Sequence, residues 1–170
     1  MLRMPEPDQN TLARRKDIIS AMKEILPVAG GVIVDDDQLR PYECDGLMAY
    51  RQLPMIVVLP ENTGQVAAIL KYCHTNKIRV VPRGAGTGLS GGALPMADAI
   101  TISMMKFNRV LEIDWDNRAA VVQPGVTNLG ITRAVEHEGF YYAPDPSSQI
   151  ACSIGGNIAE NSGGVHSLKY

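Results

Sequence analysis

The chain has 170 residues, 45% of them hydrophobic, and a formal net charge of −2. That length and apolar content support one soluble globular domain with a proper core. The near-neutral charge offers no broad basic surface to a nucleic-acid backbone or an anionic membrane, so any bound anion must be held locally.

The N-terminus, "MLRMPEPDQNTLARRKD", lacks the apolar stretch of a signal peptide, and no apolar run approaches the length of a membrane span. Three cysteines, Cys44, Cys73 and Cys152, are odd in number and lack metal-ligand spacing; they read as buried thiols in a reducing cytoplasm. Peripheral membrane attachment through a partner stays open.

Residues 11–26 place Ile18, Met22, Ile25 and Leu26 on one helical face, and Pro27 with Gly30 and Gly31 ends the pattern. A brief strand is expected at 32–34, then an irregular excursion in which Asp35 to Asp37 read as a solvated turn rather than a metal site. Residues 55–60 read as a buried strand. Residues 61–77 form a helix through Val66, Ile69, Leu70 and Cys73 behind a Thr63 cap, and a second strand begins at Ile78. Strand, helix and strand within about thirty residues make a βαβ unit with parallel strands.

Three further strands, 99–105, 109–114 and 119–125, are joined by short turns, which favours antiparallel pairing. Residues 127–139 return to helical period through Leu129, Ala134 and Val135. The architecture is α+β, without internal repeats.

The stretch "VVPRGAGTGLSGGALP" at 80–95 concentrates glycine directly after the second strand of the βαβ unit. Gly86, Gly88 and Gly91 satisfy GxGxxG, and Glu112 lies roughly twenty residues on, as a dinucleotide fingerprint requires. A Rossmann loop, however, must run into a helix whose N-terminus faces the pyrophosphate. Here Gly91, Gly92 and Pro95 oppose a helix, and the next element is a strand. What survives is a nest of bare peptides whose N–H groups converge on an anion, with pyrophosphate the natural ligand for a loop this long. Thr87 and Ser90 add hydroxyl donors. Arg83 either approaches a phosphate or pairs with a carboxylate such as Asp114 or Asp145. A side chain introduced at Gly86 is expected to fill the anion concavity and abolish cofactor binding with the fold mostly intact.

A second cluster, "YYAPDPSSQIACSIGGNIAENSGG" at 141–164, again combines bare backbone with hydrogen-bonding side chains. Pro144 and Pro146 flank Asp145 in a rigid turn, and Asn157 and Asn161 stand four apart. The plainer alternative is a loop with an Asn-capped turn.

The order of strand, "PRGAGTGLSGG", three strands, "VQPGV", helix, "APDPSS" and "SIGGNIAENSGG" resembles the N-terminal part of the FAD-binding domain shared by the vanillyl-alcohol oxidase and p-cresol methylhydroxylase flavoproteins. Within that group, "YECDGLMAYR", "RGAGTGLSGGALP" and "YYAPDPSSQIACSIGGNIAENSGGVHSLKY" are most similar to the flavin-carrying subunit of bacterial glycolate oxidase and its D-lactate dehydrogenase relatives. The resemblance implies a two-subdomain, non-Rossmann fold with FAD between the subdomains. Residues 1–50 would be an N-terminal helix and irregular lead-in. Residues 51–170 would be the first FAD-binding subdomain and the start of the second, stopping before a cap domain.

The resemblance also implies roles. Arg83, Gly84, Ala85, Gly86, Thr87, Gly88, Leu89, Ser90 and Gly91 would wrap the FAD pyrophosphate, and Gly125 would turn near the adenosine. Pro144, Asp145 and Pro146, then Ser153, Gly155, Gly156, Asn157, Asn161 and Gly163, would lie along the ribityl chain and isoalloxazine. Some relatives bind FAD covalently through a histidine near the position of Thr87; its absence here implies noncovalent FAD. The implied reaction oxidises a 2-hydroxy acid to the 2-oxo acid by hydride transfer to flavin. Electrons would leave through iron–sulfur and second flavin-type subunits. The chain ends before the segments that hold the substrate arginine and metal-binding histidines in relatives, so at this length it is expected to be inactive alone. His74 and His137 fall in helical patterns and read as surface or core residues. His166 falls near the implied flavin edge. A nicotinamide-binding domain and a noncatalytic folding or subunit-interaction module are the competing readings.

Overall fold

The computed structural model describes residues 4–165 and 167, and these divide into two compact units, one within Met1–Met104 and the other within Met105–Tyr170. In the first unit, helices α1 (Gln9–Ala13) and α2 (Arg15–Ile25) replace the single expected helix. Arg14, at φ −91° and ψ 6°, leaves helical geometry and breaks the run. Strand β1 (Val32–Ile33) is followed by α3 (Asp36–Leu39) and a 3₁₀ turn at Arg40–Tyr42. Asp35 caps α3, its carboxylate accepting the N–H groups of Asp37 and Gln38.

Strand β2 (Ile56–Val58) leads into α4 (Thr63–Asn76). The cap is Asn62 rather than Thr63: Asn62 takes extended backbone and accepts the Gln65 N–H, while Thr63 is already the first helical residue. Strand β3 (Arg79–Arg83) follows, then the glycine loop, then β4 (Ala99–Ser103).

The sheet order is β1-β2-β4-β3, with β1 antiparallel to β2 and with β2 and β3 each parallel to β4. The parallel βαβ unit is therefore present with β4 inserted between its strands. The expected antiparallel pairing of β4 with the strands after it does not occur. All five β4 residues are buried, as a central parallel strand requires. Ile18, Met22 and Leu26 on one face of α2 and its C-terminus, and Ile69 and Cys73 on α4, pack with Ile56, Val58, Ile100 and Ile102 of the sheet. Removing such side chains from water contributes about 1.5–3 kcal/mol each. Burial pushes the Cys73 thiol up to about 11, so it stays protonated in the core.

In the second unit, β5 (Val110–Asp114) and β6 (Ala119–Val122) form an antiparallel pair with an irregularity between Val110 and Glu112. Helix α5 (Asn128–Val135) begins at Thr127, whose hydroxyl accepts the Gly130 N–H at 3.0 Å. It passes into a 3₁₀ turn closed by Gly139 at φ 78°. The 154–160 stretch, for which no regular element was expected, is helix α6 (Ile154–Glu160), and Asn161 closes it in the left-handed region. Val126, Ile131 and Ile154 form the small core of this unit. His166 lies outside the described residues.

Candidate functional site

The glycine loop leaves the carboxyl end of β3, the edge of a parallel sheet where open α/β folds place ligands. Gly86 and Gly91 adopt φ 75° and 81°, values that side chains disfavour, so the chain can turn twice within six residues. Among the described residues, no protein acceptor takes the backbone N–H of Gly84, Ala85, Gly86, Thr87, Gly88, Leu89 or Ser90. Ala85, Leu89, Ser90 and Gly91 are exposed, and Gly84, Gly86, Thr87 and Gly88 are half-buried. The loop is thus a glycine-rich turn with seven successive backbone N–H groups that no described residue accepts.

Arg83 is placed under this loop. Only 6% of it is exposed, its Nη1 donates to the Ala93 carbonyl at 2.9 Å, and its guanidinium lies 5.7 Å from the Tyr42 ring centre. Burial lowers its pKa, and Cys44, Tyr42 and Asp45 act in the opposite direction. Asp114, one of the suggested partners, instead accepts from Asn117 through both oxygens.

A segment that sequence reasoning treated only as irregular holds the loop from below. Asp45, itself 6% exposed, accepts the Gly91 N–H at 2.9 Å through Oδ2 and the Leu47 N–H at 3.0 Å through Oδ1. Gly46 donates its N–H to the Gly88 carbonyl at 2.9 Å. The Asp-Gly dipeptide at 45–46 is the signal that marked a turn there.

The second cluster lies wholly in the second unit. Gly125 donates to the Phe107 carbonyl at 2.6 Å. Pro144 and Asp145 are half-buried and Pro146 is buried; the Pro144 carbonyl accepts from Asn128 Nδ2 at 2.9 Å. Ser153 and Asn157 are buried one helical turn apart at the start of α6, with Gly155 and Gly156 between them half-buried. Asn161 and Gly163 are exposed. Ser153 Oγ, Asn157 Nδ2 and the Oδ1 of Asn128 are buried without hydrogen-bond partners among the described residues. Buried polar atoms left unbonded are costly, and Thr101 and Ser103 of β4 carry such atoms as well. Asn128 was missed because it sits inside a regular amphipathic helix pattern.

A parallel sheet with a donor-rich loop where a crossover helix would stand defines a non-Rossmann dinucleotide-site fold. The same fold is found in p-cresol methylhydroxylase with substrate bound, with a TM-score of 0.77 at 21% identity over 92% of this chain and 30% of that one. Residues 54–170 match the family described as FAD binding domain, and the chain belongs to that family. It is 54% identical over 156 residues to glycolate oxidase subunit GlcD of Escherichia coli (strain K12), covering 92% of this chain and 31% of that protein. It is 37% identical over 155 residues to D-lactate dehydrogenase of Anaerostipes hadrus, covering 91% and 32%. The chain thus spans about a third of the length of these curated relatives. The first relative is named as a subunit. Among the described residues, no helix is long and apolar enough to cross a membrane.

Proposed function

We propose that this chain is the FAD-binding portion of an oxidoreductase that converts a 2-hydroxy acid, glycolate or D-lactate, to its 2-oxo acid. The observation that carries the cofactor assignment is the run of uncommitted N–H groups from Gly84 to Ser90. A pyrophosphate supplies acceptors for such a run without needing a side-chain cation. Thr87 and Ser90 add hydroxyl donors, and Arg83 holds the loop from its buried side. Ser153 Oγ and Asn157 Nδ2 are the unpartnered polar groups toward which the flavin portion is assigned. Pro144, Asp145, Gly155, Gly156, Asn161 and Gly163 are assigned along the same portion, and Gly125 near the adenosine.

When bound, FAD supplies the hydride acceptor, which no side chain can provide. The loop contains no histidine, so the cofactor is held noncovalently. Residues 51–170 form the flavin-binding part, and the lead-in at 1–50 contributes α2 to the first core. The 2-hydroxy-acid assignment rests on the names of the GlcD and D-lactate dehydrogenase relatives. The sequence resemblance to the glycolate oxidase type carries the assignment of iron–sulfur and second flavin-type subunits as electron acceptors, and the cysteine usage carries that of a cytoplasmic location, with peripheral attachment to the inner face of the membrane left open. The family match across 54–170 favours this reading over a nicotinamide domain or a noncatalytic folding module.

The test is a titration of the purified chain with FAD, followed by absorbance after desalting, with NAD as control and inorganic pyrophosphate as competitor. Retained flavin that pyrophosphate displaces, with no NAD uptake, is expected. Flavin uptake indifferent to pyrophosphate would sink the loop assignment, and no uptake would sink the flavin reading of this chain.

A further inference from the structure

We propose that Asp45 and Gly46 are the positioning element of the glycine loop, a clamp that holds it open to an anion before any ligand arrives. The functional half of this inference rests on the flavin reading above; the structural half does not.

Such a loop faces a physical difficulty. Glycine-rich backbone has many accessible conformations, and fixing one of them costs entropy that binding would otherwise have to supply. The clamp removes that cost at both legs of the turn. On the far leg, the Asp45 carboxylate accepts the Gly91 N–H at 2.9 Å, fixing the residue whose φ of 81° reverses the chain. On the near leg, the Gly46 N–H reaches the Gly88 carbonyl at 2.9 Å. In a trans peptide the N–H points opposite the C=O, so tying the Gly88 carbonyl to Gly46 turns the Leu89 N–H the other way.

Gly46 has a steric reason to be glycine. A Cβ there would stand 2.6 Å from the Thr87 carbonyl oxygen and 3.1 Å from that of Gly88. Any side chain would push the clamp off the loop.

The electrostatics also need this residue. A carboxylate near an anion site is repulsive unless neutralised, and a buried guanidinium is unfavourable unless countered. Burial lowers the Arg83 pKa, and Cys44, Tyr42 and Asp45 act in the opposite direction, so Asp45 is one of three groups that ease the burial of the cation. The upper surface is left to peptide dipoles.

The test compares wild type, Asp45→Ala and Asp45→Asn in two readouts. One is amide hydrogen exchange at Gly91 in the chain without ligand, and the other is affinity for FAD and for inorganic pyrophosphate. Asp45→Ala is expected to speed exchange at Gly91 and weaken both ligands by about tenfold or more, since a charged acceptor is lost. Asp45→Asn keeps one oxygen for the Gly91 N–H and is expected to recover most of both effects. Ile18→Val, a core change far along the chain, lowers the thermal midpoint and is expected to leave both readouts unchanged, separating positioning from general stability. Should Asp45→Ala fail to fold, Gly46→Ala carries the same expectation with the carboxylate in place. Unaltered Gly91 exchange in Asp45→Ala would overturn the clamp, as would faster exchange with wild-type affinity. If wild type binds neither FAD nor pyrophosphate while Asp45→Ala still frees the Gly91 amide, the clamp stands and the flavin reading falls.

Discussion

At Gly86 the backbone sits at φ 75°, and an added Cβ would run into the Arg83 guanidinium. The expectation that a side chain here fills the anion concavity is thereby corrected: the Cβ direction is downward, into the buried support. Arg83 is held by Ala93 and flanked by Tyr42, so it cannot swing away without cost. Gly86→Val combines a β-branched residue at positive φ with a displaced buried cation, and we expect a loss of about 1–3 kcal/mol in stability. Flavin retention should disappear with it. Thermal melts with FAD content after desalting check both, and a variant with wild-type midpoint and wild-type flavin content would refute this account. The glycine spacing was legible in the sequence, and at Gly86 and Gly91 the positive φ is one that side chains rarely adopt. The support beneath it was not, since Asp45 lies far along the chain from Gly91 and nothing in local pattern joins them.

Helix α6 escaped sequence reasoning for a clear reason. Gly155, Gly156 and Asn157 all have poor intrinsic helix propensity, and their composition reads as loop. Tertiary contacts overrule that propensity: the Ile154 N–H donates to the Val126 carbonyl and the Gly155 N–H to the Pro124 carbonyl, both at 2.8 Å. A Cβ at 155 would stand 2.6 Å from the Pro124 Cβ and 3.0 Å from its carbonyl oxygen. Replacing a helical glycine by alanine ordinarily gains up to about 1 kcal/mol. At this position the sign should reverse, with Gly155→Ala losing about 1–3 kcal/mol through overpacking. Chemical denaturation measures it, and a stabilised Gly155→Ala would show that Pro124 yields freely. The strand β4 was correctly placed but wrongly paired. Short connections favour antiparallel neighbours, yet its wholly apolar and hydroxyl-bearing face pattern suits a central parallel strand, and burial on both sides decided the matter.

Across the molecule the two units differ in how much apolar surface they hide. The core of the first gathers eleven buried side chains, whereas that of the second gathers Val126, Ile131 and Ile154. Leu111, Trp115, Val121, Tyr141 and Ile158 of the second unit are between 41% and 73% exposed. A two-stranded sheet is marginal without a covered face. Local opening should therefore be easier in the second unit, and amides of β5 and β6 should exchange well before those of β2 and β4. Equal protection in the two sheets by hydrogen-exchange mass spectrometry would contradict this. The sequence's helical and strand periods located elements in both units but did not divide the chain at 104/105, because periodicity is local. The difference in core size depends on which faces meet, which periodicity does not record.

One consequence of the buried Arg83 concerns ionic strength. It is the only charged residue in the 83–92 loop, and its guanidinium is committed to the Ala93 carbonyl on the buried side. On the proposed reading, a phosphate held by the loop N–H groups would sit well inside the Debye length of about 8–10 Å, where mobile ions screen little. With no free cation on the loop, the proposed site would bind through peptide dipoles, and its affinity for pyrophosphate should change little with added salt.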